Sequence, residues 1–394
     1  MATRVPLKDL CELITKGTTP TSIGFDFADE GVGFLRVQNI SGGVVNFEKD
    51  TLFIDGQVHQ LLKRSQILPG DVLLSIAGSI GRTGVVPENA PPLNCNQAVA
   101  ILRTSEKIYR PFLRHWLEGE DAQKQMRGAT VTGTIQNLSL TQIGELKIPL
   151  LSLSEQRRIA AILDQADALR AKRREALALL DELQRGIFIE MFGDPATNTK
   201  KWPVRAVGDL LASASYGTSE KSSADGKFPV LRMNNITRSG EMDFVDLKYM
   251  DLDESQHERY LVRQGDVLFN RTNSADLVGK TAIYRRSEPM AYAGYLIRLR
   301  INAANDPEYL AGFMNTSYAK RTLRSMCKSI IGMANINATE VQAMKIPQPP
   351  LELQSQYAKH VETVIANKVV HRRALEEFGA LFAALQSRAF RGEL

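Results

Sequence analysis

The sequence predicts an α+β fold built from two similar halves, each followed by one long helix. The segment Leu-Lys-Ile-Pro at residues 146–149 returns as Met-Lys-Ile-Pro at residues 344–347, an offset of about 198 residues. Short apolar stretches before each copy predict strands. The stretch after each copy places apolar residues at heptad spacing, which predicts two helices that pair with each other.

The strand predictions come in matched pairs, one member in each half. Residues 34–40 and 230–236 alternate apolar and polar side chains, which predicts a half-buried strand. Further strands are predicted at residues 83–86, 98–102, 281–284 and 295–300, and short helices at residues 111–119 and 307–316. Each half is therefore an α+β module of roughly 145 residues, an ordinary domain size.

Each long helix carries two rows of apolar residues at heptad spacing. The rows are Ile159, Ala166, Leu180 and Ile187 with Ile162, Leu169, Ala176 and Leu183 in the first helix, and Val361, Leu375, Phe382 and Ala389 with Tyr357, Val364, Phe378 and Leu385 in the second. Arg173, Lys368 and His371 interrupt these rows, and polar seam positions weaken a helix pair but fix its register. We expect the helices to pair as an antiparallel coiled coil, giving a pseudo-two-fold molecule. The alternative is that each helix packs on its own half.

The composition describes a globular chain with a mild basic excess. The formal net charge is +5 and the pI is about 9.0, which permits a polyanionic partner without requiring one. Cys11, Cys95 and Cys327 are scattered and form no CxxC pair, so free thiols in a reducing compartment are expected. No secretory signal or membrane-spanning run is visible, and the expected location is cytoplasmic.

Motifs that carry chemistry are incomplete or missing. Gly279-Lys280-Thr281 resembles part of a phosphate-binding P-loop, but Ser274 stands where that loop needs another glycine. The histidines lack metal-ligand spacing, and no Gly-x-Ser-x-Gly elbow occurs. The sequence therefore predicts a chain with no catalytic residues, no metal and no cofactor of its own. An active site assembled from distant residues stays open as an alternative.

Three short motifs, taken with the duplication, resemble the specificity subunit of type I restriction-modification systems. They are Leu-Ser-Glu-Gln at residues 153–156, Met-Phe-Gly-Asp-Pro at residues 191–195, and the closing Leu-Gln-Ser-Arg-Ala-Phe-Arg-Gly-Glu-Leu at residues 385–394. The resemblance covers the whole chain. The second helix departs from the pattern by beginning Leu-Glu-Leu-Gln at residues 351–354, where a Glu-Gln pair is usual.

The resemblance implies a non-catalytic subunit that reads DNA. It implies target-recognition domains at residues 1–146 and 196–344, each reading one part of a bipartite, asymmetric target in double-stranded DNA. Residues 147–195 and 345–394 would be spacer helices that dock two methyltransferase subunits. Two restriction subunits would complete the complex, with S-adenosylmethionine and ATP bound by those partners. A two-module scaffold that binds protein or carbohydrate without DNA specificity is the alternative.

Comparison of the two halves separates framework residues from reading residues. Residues identical in both halves cannot distinguish two sequences, so Arg36/Arg232, Asn39/Asn235 and Arg103/Arg300 are predicted to shape the framework or contact phosphates. A turn-stabilising role is equally open for the two asparagines. The predicted readers differ between the halves and lie on loops. In the first half they are Lys16, Thr18, Thr19, Gln38, Ser79, Arg82, Asn96, Gln97, Thr132 and Thr134. In the second half they are Tyr216, Ser219, Lys221, Asn234, Arg271, Asn273, Lys280, Tyr292 and Met333.

A basic run on the first long helix is a further candidate for DNA contact. It comprises Arg157, Arg158 and residues 170–174. Such a run could follow phosphates between two half-sites. A solvated helix face, or a contact to an acidic partner, explains it equally well.

Overall fold

The computed structural model describes residues 3–129, 137–330 and 333–394, apart from the side chains of residues 328–330 and 333. The chain divides into two compact units. Unit 1 comprises Met1–Arg173 and Ala374–Leu394, and unit 2 comprises Arg174–Arg373. Both boundaries fall inside the long helices, so each unit contains part of each helix.

Unit 1 is built on three sheets. Its strands are β1 (Arg4–Pro6), β2 (Cys11–Lys16), β3 (Val32–Leu35), β4 (Ile40–Ser41), β5 (Gly43–Val45), β6 (Leu52–Ile54), β7 (Gln66–Ile67), β8 (Val72–Ser75), β9 (Thr83–Val85), β10 (Leu93–Cys95), β11 (Val99–Thr104) and β12 (Lys147–Pro149). Its helices are α1 (Gly56–Leu61), α2 (Arg110–Glu118), α3 (Glu120–Ala129), α4 (Leu140–Gly144) and the first part of α5 (Leu153–Phe192). The sheet orders are β2-β11-β8-β9-β5-β4, β6-β3-β10-β7 and β1-β12.

Unit 2 repeats most of this plan. Its strands are β13 (Val204–Ala206), β14 (Leu211–Tyr216), β15 (Phe228–Leu231), β16 (Lys248–Met250), β17 (Leu261–Val262), β18 (Val267–Asn270), β19 (Thr272–Asn273), β20 (Thr281–Ile283), β21 (Met290–Tyr292), β22 (Leu296–Ile301), β23 (Lys328–Ile330), β24 (Met333–Asn335) and β25 (Lys345–Pro347). Its helices are the last part of α5, α6 (Glu254–Tyr260), α7 (Pro307–Met314), α8 (Ser317–Met326), α9 (Ala338–Ala343) and the first part of α10 (Leu351–Arg391). The sheet orders are β14-β22-β18-β20, β16-β15-β21-β17, β13-β25 and β19-β24-β23.

The sequence repeat is a repeat of topology. Strand β12 pairs antiparallel with β1, placing Ile148 opposite Val5, and β25 pairs with β13 in the same way, placing Ile346 opposite Arg205. Strands β3 and β10 are parallel neighbours in unit 1, and β15 and β21 are parallel neighbours in unit 2. The duplicated Lys-Ile-Pro segment therefore closes each module against its own first strand.

In each unit, one sheet is buried on both faces: the six-stranded sheet that contains β8 in unit 1 and the four-stranded sheet that contains β18 in unit 2. In β8 the side chains of Val72 and Leu74 join the core under the helices, whereas Leu73 joins the core between the two sheets. In β18 Val267 and Leu268 divide between two cores in the same way. Burial on both faces explains why these strands read as continuous apolar runs in the sequence.

The predicted strand at residues 34–40 is only half right. Strand β3 ends at Leu35, and Val37–Asn39 forms a 3-10 turn. The buried Asn39 side chain stabilises that turn, because its Oδ1 accepts a hydrogen bond from the backbone N–H of Arg36 at 2.9 Å. In unit 2 the Oδ1 of Asn235 accepts the equivalent hydrogen bond from the backbone N–H of Arg232 at 2.8 Å. This side-chain hydrogen bond stabilises the 3-10 turn over the extended conformation that the alternating pattern predicts.

The long helices pair antiparallel within each unit. In unit 1 the Arg158 guanidinium donates to the carbonyl of Leu394, and the Arg170 guanidinium lies 4.5 Å from the centre of the Phe382 ring. In unit 2 Phe188 contacts Tyr357, with ring centroids 5.5 Å apart, and Asp181 pairs with Lys368 at 2.6 Å. Residue numbers rise along α5 as they fall along α10 in both units, which confirms the predicted pairing.

The predicted heptad rows hold for α10 but not fully for α5. Every predicted row position of α10 is buried or half-buried. In α5 the row containing Leu169 and Leu183 is wrong, since these side chains are 42% and 51% exposed. The buried row lies one residue further along the chain and includes Leu163, which is 0% exposed. Apolar residues occupy more than one face of α5, so spacing alone could not select the correct row.

Candidate nucleic-acid interface

In each unit, the loops that carry the predicted reading residues meet at one end of the sheets. The N–H of Thr18 donates to the carbonyl of Cys95 at 3.1 Å, which joins the loop after β2 to the turn after β10. In unit 2 the N–H of Thr218 makes the corresponding bond to the carbonyl of Tyr292 at 2.9 Å. Residues far apart in the sequence are thereby brought together in both units.

Glycine makes this close approach possible. A Cβ on Gly17 would lie 2.1 Å from the carbonyl oxygen of Cys95, and one on Gly217 would lie 2.3 Å from that of Tyr292. Any larger residue at either position would push the two loops apart. The shared glycines therefore set the loop geometry, while the residues around them differ between the units.

The arginines shared by both halves have framework partners. The Arg36 guanidinium donates to the carbonyl of Asp50 at 2.9 Å, and Arg232 donates to that of Asp246 at 3.0 Å. Arg232 also forms an ion pair with the Asp246 carboxylate at 2.8 Å. These contacts brace the segment that follows the 3-10 turn, and they leave Arg36 and Arg232 at the rim of the loop cluster.

A second pair of arginines shared by the halves, Arg103 and Arg300, binds carboxylates that are almost fully buried. Arg103 binds the carboxylate of Asp71 through two hydrogen bonds of 2.9 and 2.8 Å, and Arg300 binds Asp266 at 3.0 Å. The Asp71 side chain is 2% exposed. Its hydrogen bond raises the pKa of the Arg103 guanidinium above its usual value. Arg103 is therefore a framework residue.

In unit 2 five of the predicted residues line one open cleft. Ser219, Lys221, Arg232, Asn234 and Arg271 surround a volume of about 650 Å³, which we call the reading cleft. Lysine and arginine are suited to the acceptor edge of guanine, and asparagine is suited to adenine. The cleft thus combines cationic and amide donors on loops, as base readout requires.

Two tyrosines frame the reading cleft. The Arg271 guanidinium lies 5.0 Å from the centre of the Tyr216 ring, and the Tyr216 hydroxyl accepts a hydrogen bond from the N–H of Ala338 at 2.8 Å. Tyr295 also lines the cleft and is 52% exposed. The sequence predicts a strand that begins at Tyr295 and does not mark Tyr295 as a reading residue. The position of this aromatic residue directly after the Ala293-Gly294 turn is the feature of the sequence that could have indicated its place in the cleft.

In unit 1 the predicted residues occupy the corresponding loops. Thr19 donates a hydrogen bond to the Gln97 side chain, which links the loop after β2 to the turn after β10. The Arg82 guanidinium reaches the hydroxyl of Ser79 at 3.4 Å within the loop between β8 and β9. The remaining candidates differ in exposure: Lys16 and Gln38 are exposed, Thr18 is half-buried, and half-buried Asn96 accepts from the N–H of Ala98.

Three second-half candidates have side chains already engaged within the fold. Tyr292 is 0% exposed, and its hydroxyl donates to the carbonyl of Arg259 at 3.1 Å. Burial raises the pKa of Tyr292 to about 12. The Lys280 ammonium donates to the carbonyls of Met233 and Ile236, and the Asn273 amide donates to Asn270. We therefore leave Tyr292 out of the proposed DNA contacts.

Three further candidates fall outside the described residues. Thr132 and Thr134 lie in the segment 130–136, and the side chain of Met333 is not described. They stay predictions from the sequence.

The basic run of α5 makes contacts within unit 1. Arg158 pairs with Glu155 at 2.7 Å, and Arg170 pairs with Asp167 at 3.1 Å. The Arg173 guanidinium lies 5.8 Å from the centre of the Phe378 ring on α10. Arg170 and Arg173 contact aromatic rings of α10, which favours a structural role for these two residues. Arg157, Lys172 and Arg174 are exposed.

The described residues contain no group of three or more histidine, cysteine, aspartate or glutamate side chains that could hold a metal ion. Within the same part of the chain, no helix has the length and hydropathy needed to cross a membrane.

Cys95 is buried, while Cys11 and Cys327 are half-buried. Burial raises the pKa of Cys11 to about 12, so its thiol stays protonated at neutral pH.

Comparison with known proteins identifies the repeated module. The family model described as "Type I restriction modification DNA specificity domain" matches residues 3–179 and again residues 199–377. The chain is 26% identical to the EcoKI specificity subunit of Escherichia coli, across 93% of this chain and 83% of that protein. It is 24% identical to the StySPI specificity subunit of Salmonella potsdam, with the same coverage of both chains.

Solved structures agree on the fold. The crystal structure of the type I restriction-modification S subunit from M. genitalium covers 98% of this chain with a TM-score of 0.56 and 16% identity. A chain from a structure of type I restriction-modification complex assembly covers 99%, with a TM-score of 0.56 and 20% identity. With the family model matching both halves, the chain belongs to the type I restriction-modification DNA specificity family and contains two copies of its specificity domain.

Proposed function

We propose that this chain is the subunit that reads DNA for a type I restriction-modification enzyme, with each unit reading one part of a bipartite, asymmetric target. One observation carries the proposal: the two units share their framework contacts but differ in the side chains around the loop cluster. A common scaffold with different reading groups suits two different half-sites. The proposed reading domains are residues 1–146 and 196–344.

The proposal includes a division of labour with partner subunits. Specificity subunits of type I restriction enzymes are non-catalytic, and DNA target recognition is their role. We propose that residues 147–195 and 345–394, which contain α5 and α10, space the half-sites and dock two methyltransferase subunits. Two restriction subunits would join the full complex, with S-adenosylmethionine and ATP bound by the partners. The target adenine would be flipped into a methyltransferase pocket.

Footprinting tests the bipartite target. The chain, assembled with its methyltransferase partner, is expected to protect two short tracts of duplex DNA separated by an unread gap. A single continuous protected tract would contradict two-part reading. Salt distinguishes DNA reading from a protein- or carbohydrate-binding scaffold, because DNA affinity falls steeply with salt through counterion release.

Substitution of one arginine in each unit tests which unit reads which tract. Arg82→Ala in unit 1 and Arg271→Ala in unit 2 are expected to relax specificity at opposite half-sites, each by about 1–3 kcal/mol, because a lost base contact acts locally. Methylation profiling of the assembled enzyme on randomised targets measures both effects.

Val245→Ala is the control for this pair of variants. Val245 is 93% exposed in unit 2 and is not among the residues that line the reading cleft. The methylation profile of the Val245→Ala variant should match that of the unaltered enzyme. If Arg82→Ala and Arg271→Ala relaxed the same half-site, the assignment of one half-site to each unit would be wrong.

A further inference from the structure

A second cleft in unit 2 gathers cationic side chains from three separate parts of the chain. It has a volume of about 280 Å³, and its charged lining residues are Arg238, Lys280, Lys320, Arg321, Arg324 and Asp276. Five cations thus face one carboxylate, and that carboxylate is already paired with Arg324. We call this the basic cleft. Sequence reasoning named only Lys280 among these residues.

The basic cleft is a neighbour of the reading cleft. The segment after β15 contributes Met233 and Asn234 to the reading cleft and Arg238 to the basic cleft. The segment between β18 and β20 contributes Arg271 to the reading cleft and Lys280 to the basic cleft. A duplex seated on the reading cleft would therefore bring its backbone close to these cations.

Two lysines of the basic cleft are held close together without a carboxylate partner between them. The Lys280 ammonium donates to the carbonyl of Met233 at 2.7 Å, and the Lys320 ammonium donates to the carbonyl of Gly279 at 2.8 Å. Burial, and then the charge of Lys280, lower the pKa of Lys320 to about 8. Burial and the nearby positive charge both disfavour the protonated form of Lys320 in the empty cleft, and a bound anion would stabilise that form.

Unit 1 has the same framework with different charges. The Gln123 amide donates to the carbonyl of Gly81 at 3.3 Å, which is the bond that Lys320 makes to Gly279 in unit 2. Helix α3 of unit 1 also carries Glu120, which forms an ion pair with Lys124 at 2.7 Å. Helix α8 of unit 2 contains Lys320, Arg321 and Arg324 and no acidic residue. The concentration of positive charge is therefore specific to unit 2.

We propose that the basic cleft binds phosphate groups of the DNA backbone beside the half-site read by unit 2, and so holds that side of the duplex more firmly than unit 1 holds the other. The inference rests on the proposed function, since it requires DNA on the reading cleft. Guanidinium groups bind phosphate oxygens through paired hydrogen bonds, and ammonium groups act as point charges. Phosphate contacts of this kind add affinity without reading sequence.

The test compares Lys320→Gln with the unaltered chain, each assembled with the methyltransferase partner on duplex DNA containing the full target. Glutamine retains a donor for the carbonyl of Gly279, as Gln123 does in unit 1. Loss of one phosphate contact lowers the slope of log affinity against log salt by about 0.9. Between about 50 and about 200 mM salt the variant should therefore lose about 3-fold less affinity. Discrimination against a scrambled second half-site should not change.

Matched variants separate a binding effect from a folding effect. Arg321→Gln alters an exposed side chain of the same cleft and should also lower the salt slope. Lys124→Gln alters helix α3 of unit 1 and should leave the slope unchanged. If Lys320→Gln and Arg321→Gln both retained the slope of the unaltered chain, the phosphate site would be refuted while bipartite reading stood. An unaltered chain with no two-part footprint would instead refute the proposed function.

Two further measurements address the nature of the ligand. Lys320 faces Lys280, Arg238, Asp276, Arg321 and Arg324, and it is the group expected to lose its proton as the pH rises through about 8. DNA affinity should therefore fall more between pH 7 and pH 9 for the unaltered chain than for Lys320→Gln, and equal falls would count against the proposal. Inorganic phosphate that bound the cleft equally well with and without DNA, at fixed ionic strength, would show that the duplex backbone does not occupy the cleft and would overturn the backbone assignment.

Discussion

At the scale of single residues, residues that are identical in both halves have structural roles. Gln156 and Gln354 are both 0% exposed, and their side-chain oxygens accept the N–H groups of Tyr109 at 2.7 Å and Asp306 at 2.9 Å. Each glutamine joins the start of a long helix to the start of a short one. This contact explains why glutamine persists although the residues before it differ between the two helices.

The buried pair of Asp71 and Arg103 gives a prediction at this scale. Asp71→Ala should lower the free energy of unfolding of unit 1 by about 3 kcal/mol, because it leaves a partly buried guanidinium without its carboxylate. It also removes the acceptor for the N–H of Leu68, which lies 2.8 Å from the carboxylate. Denaturant unfolding of the purified chain measures the change.

Two controls frame the Asp71 prediction. Asp71→Asn retains the shape and one acceptor, so it should cost less than Asp71→Ala. Substitution of the exposed Asp29 by alanine should have an effect within about 0.5 kcal/mol. Equal effects of Asp71→Ala and Asp29→Ala would show that the pair does not stabilise the framework.

At the scale of elements, polar groups fix how the long helices pack. Lys368 is 1% exposed on α10, and its ammonium lies 2.6 Å from Asp181 and 3.2 Å from Gln184, both on α5. The same ammonium lies 3.0 Å from Glu241 in the loop after β15. One side chain therefore connects both helices to the module of unit 2. A slip of α10 would break all three contacts and a slip of α5 would break two of them, so Lys368 sets the register.

Replacement of this lysine tests the arrangement. Lys368→Met should destabilise unit 2 by roughly 2–3 kcal/mol, below the usual cost of breaking a fully buried pair, because Asp181 and Glu241 are 30% and 21% exposed. Denaturant unfolding measures the loss. Val369→Ala, at a neighbouring position that is 57% exposed, should change stability by less than about 0.5 kcal/mol. Equal stability of the two variants would rule out an energetic role for the lysine.

The junction of α2 and α5 in unit 1 predicts a pH dependence. The hydrogen bond from His115, and then the charges of His115 and Arg114, hold the pKa of Asp164 below its usual value. A carboxyl group with a lowered pKa stabilises the fold above about pH 4, and this contribution is lost as the pH falls through the lowered pKa. Asp164→Asn should therefore lower the thermal midpoint near pH 7 and should reduce its further fall in acid.

Thermal melts from pH 7 to pH 2.5 measure this difference. The Asp164 side chain is 50% exposed, so the effect should be modest and should shrink at high salt. In both chains the other carboxyl groups lower the thermal midpoint as the pH falls. Only the difference in thermal midpoint between the two chains is therefore attributed to Asp164. Parallel pH profiles for the two chains would contradict the prediction.

At the scale of the whole molecule, the two units differ in how many segments of the chain form them. Unit 2 is one continuous segment, Arg174–Arg373, and its core residues all lie within it. Unit 1 needs both ends of the chain, because Phe382, Ala389 and Phe390 of α10 complete its main core. The Phe390 ring lies 5.2 Å from that of Phe112 in an edge-on contact.

Truncation after Arg373 should therefore affect the units unequally. Unit 1 loses at least two buried aromatic side chains, each worth about 3–5 kcal/mol. Its melting transition should fall by at least about 10 °C, whereas that of unit 2 should stay nearly constant. Scanning calorimetry measures both transitions. The variant Phe390→Ala should give a smaller shift in the same direction. Equal shifts of both transitions would show that the units unfold as one cooperative block.

The sequence by itself determined the duplication, the strand-rich modules, the heptad rows of α10 and the family. These features depend on local spacing and on order along the chain, which a single sequence contains in full. It also separated the shared framework arginines from the variable loop residues, because comparing the halves needs no coordinates. Four of the variable residues, Ser219, Lys221, Asn234 and Arg271, line the reading cleft together with the shared Arg232.

Only the tertiary structure decided which side chains are free to act. The sequence predicts Tyr292 and Lys280 as reading residues; in the structure Tyr292 is buried, and the Lys280 ammonium donates to two backbone carbonyls. Leu163 replaced Ile162 in the seam of α5 because burial depends on the partner helix as well as on spacing. The basic cleft joins Arg238 to Lys320 across about eighty residues of sequence. Long-range packing creates such a site, and no local pattern records it.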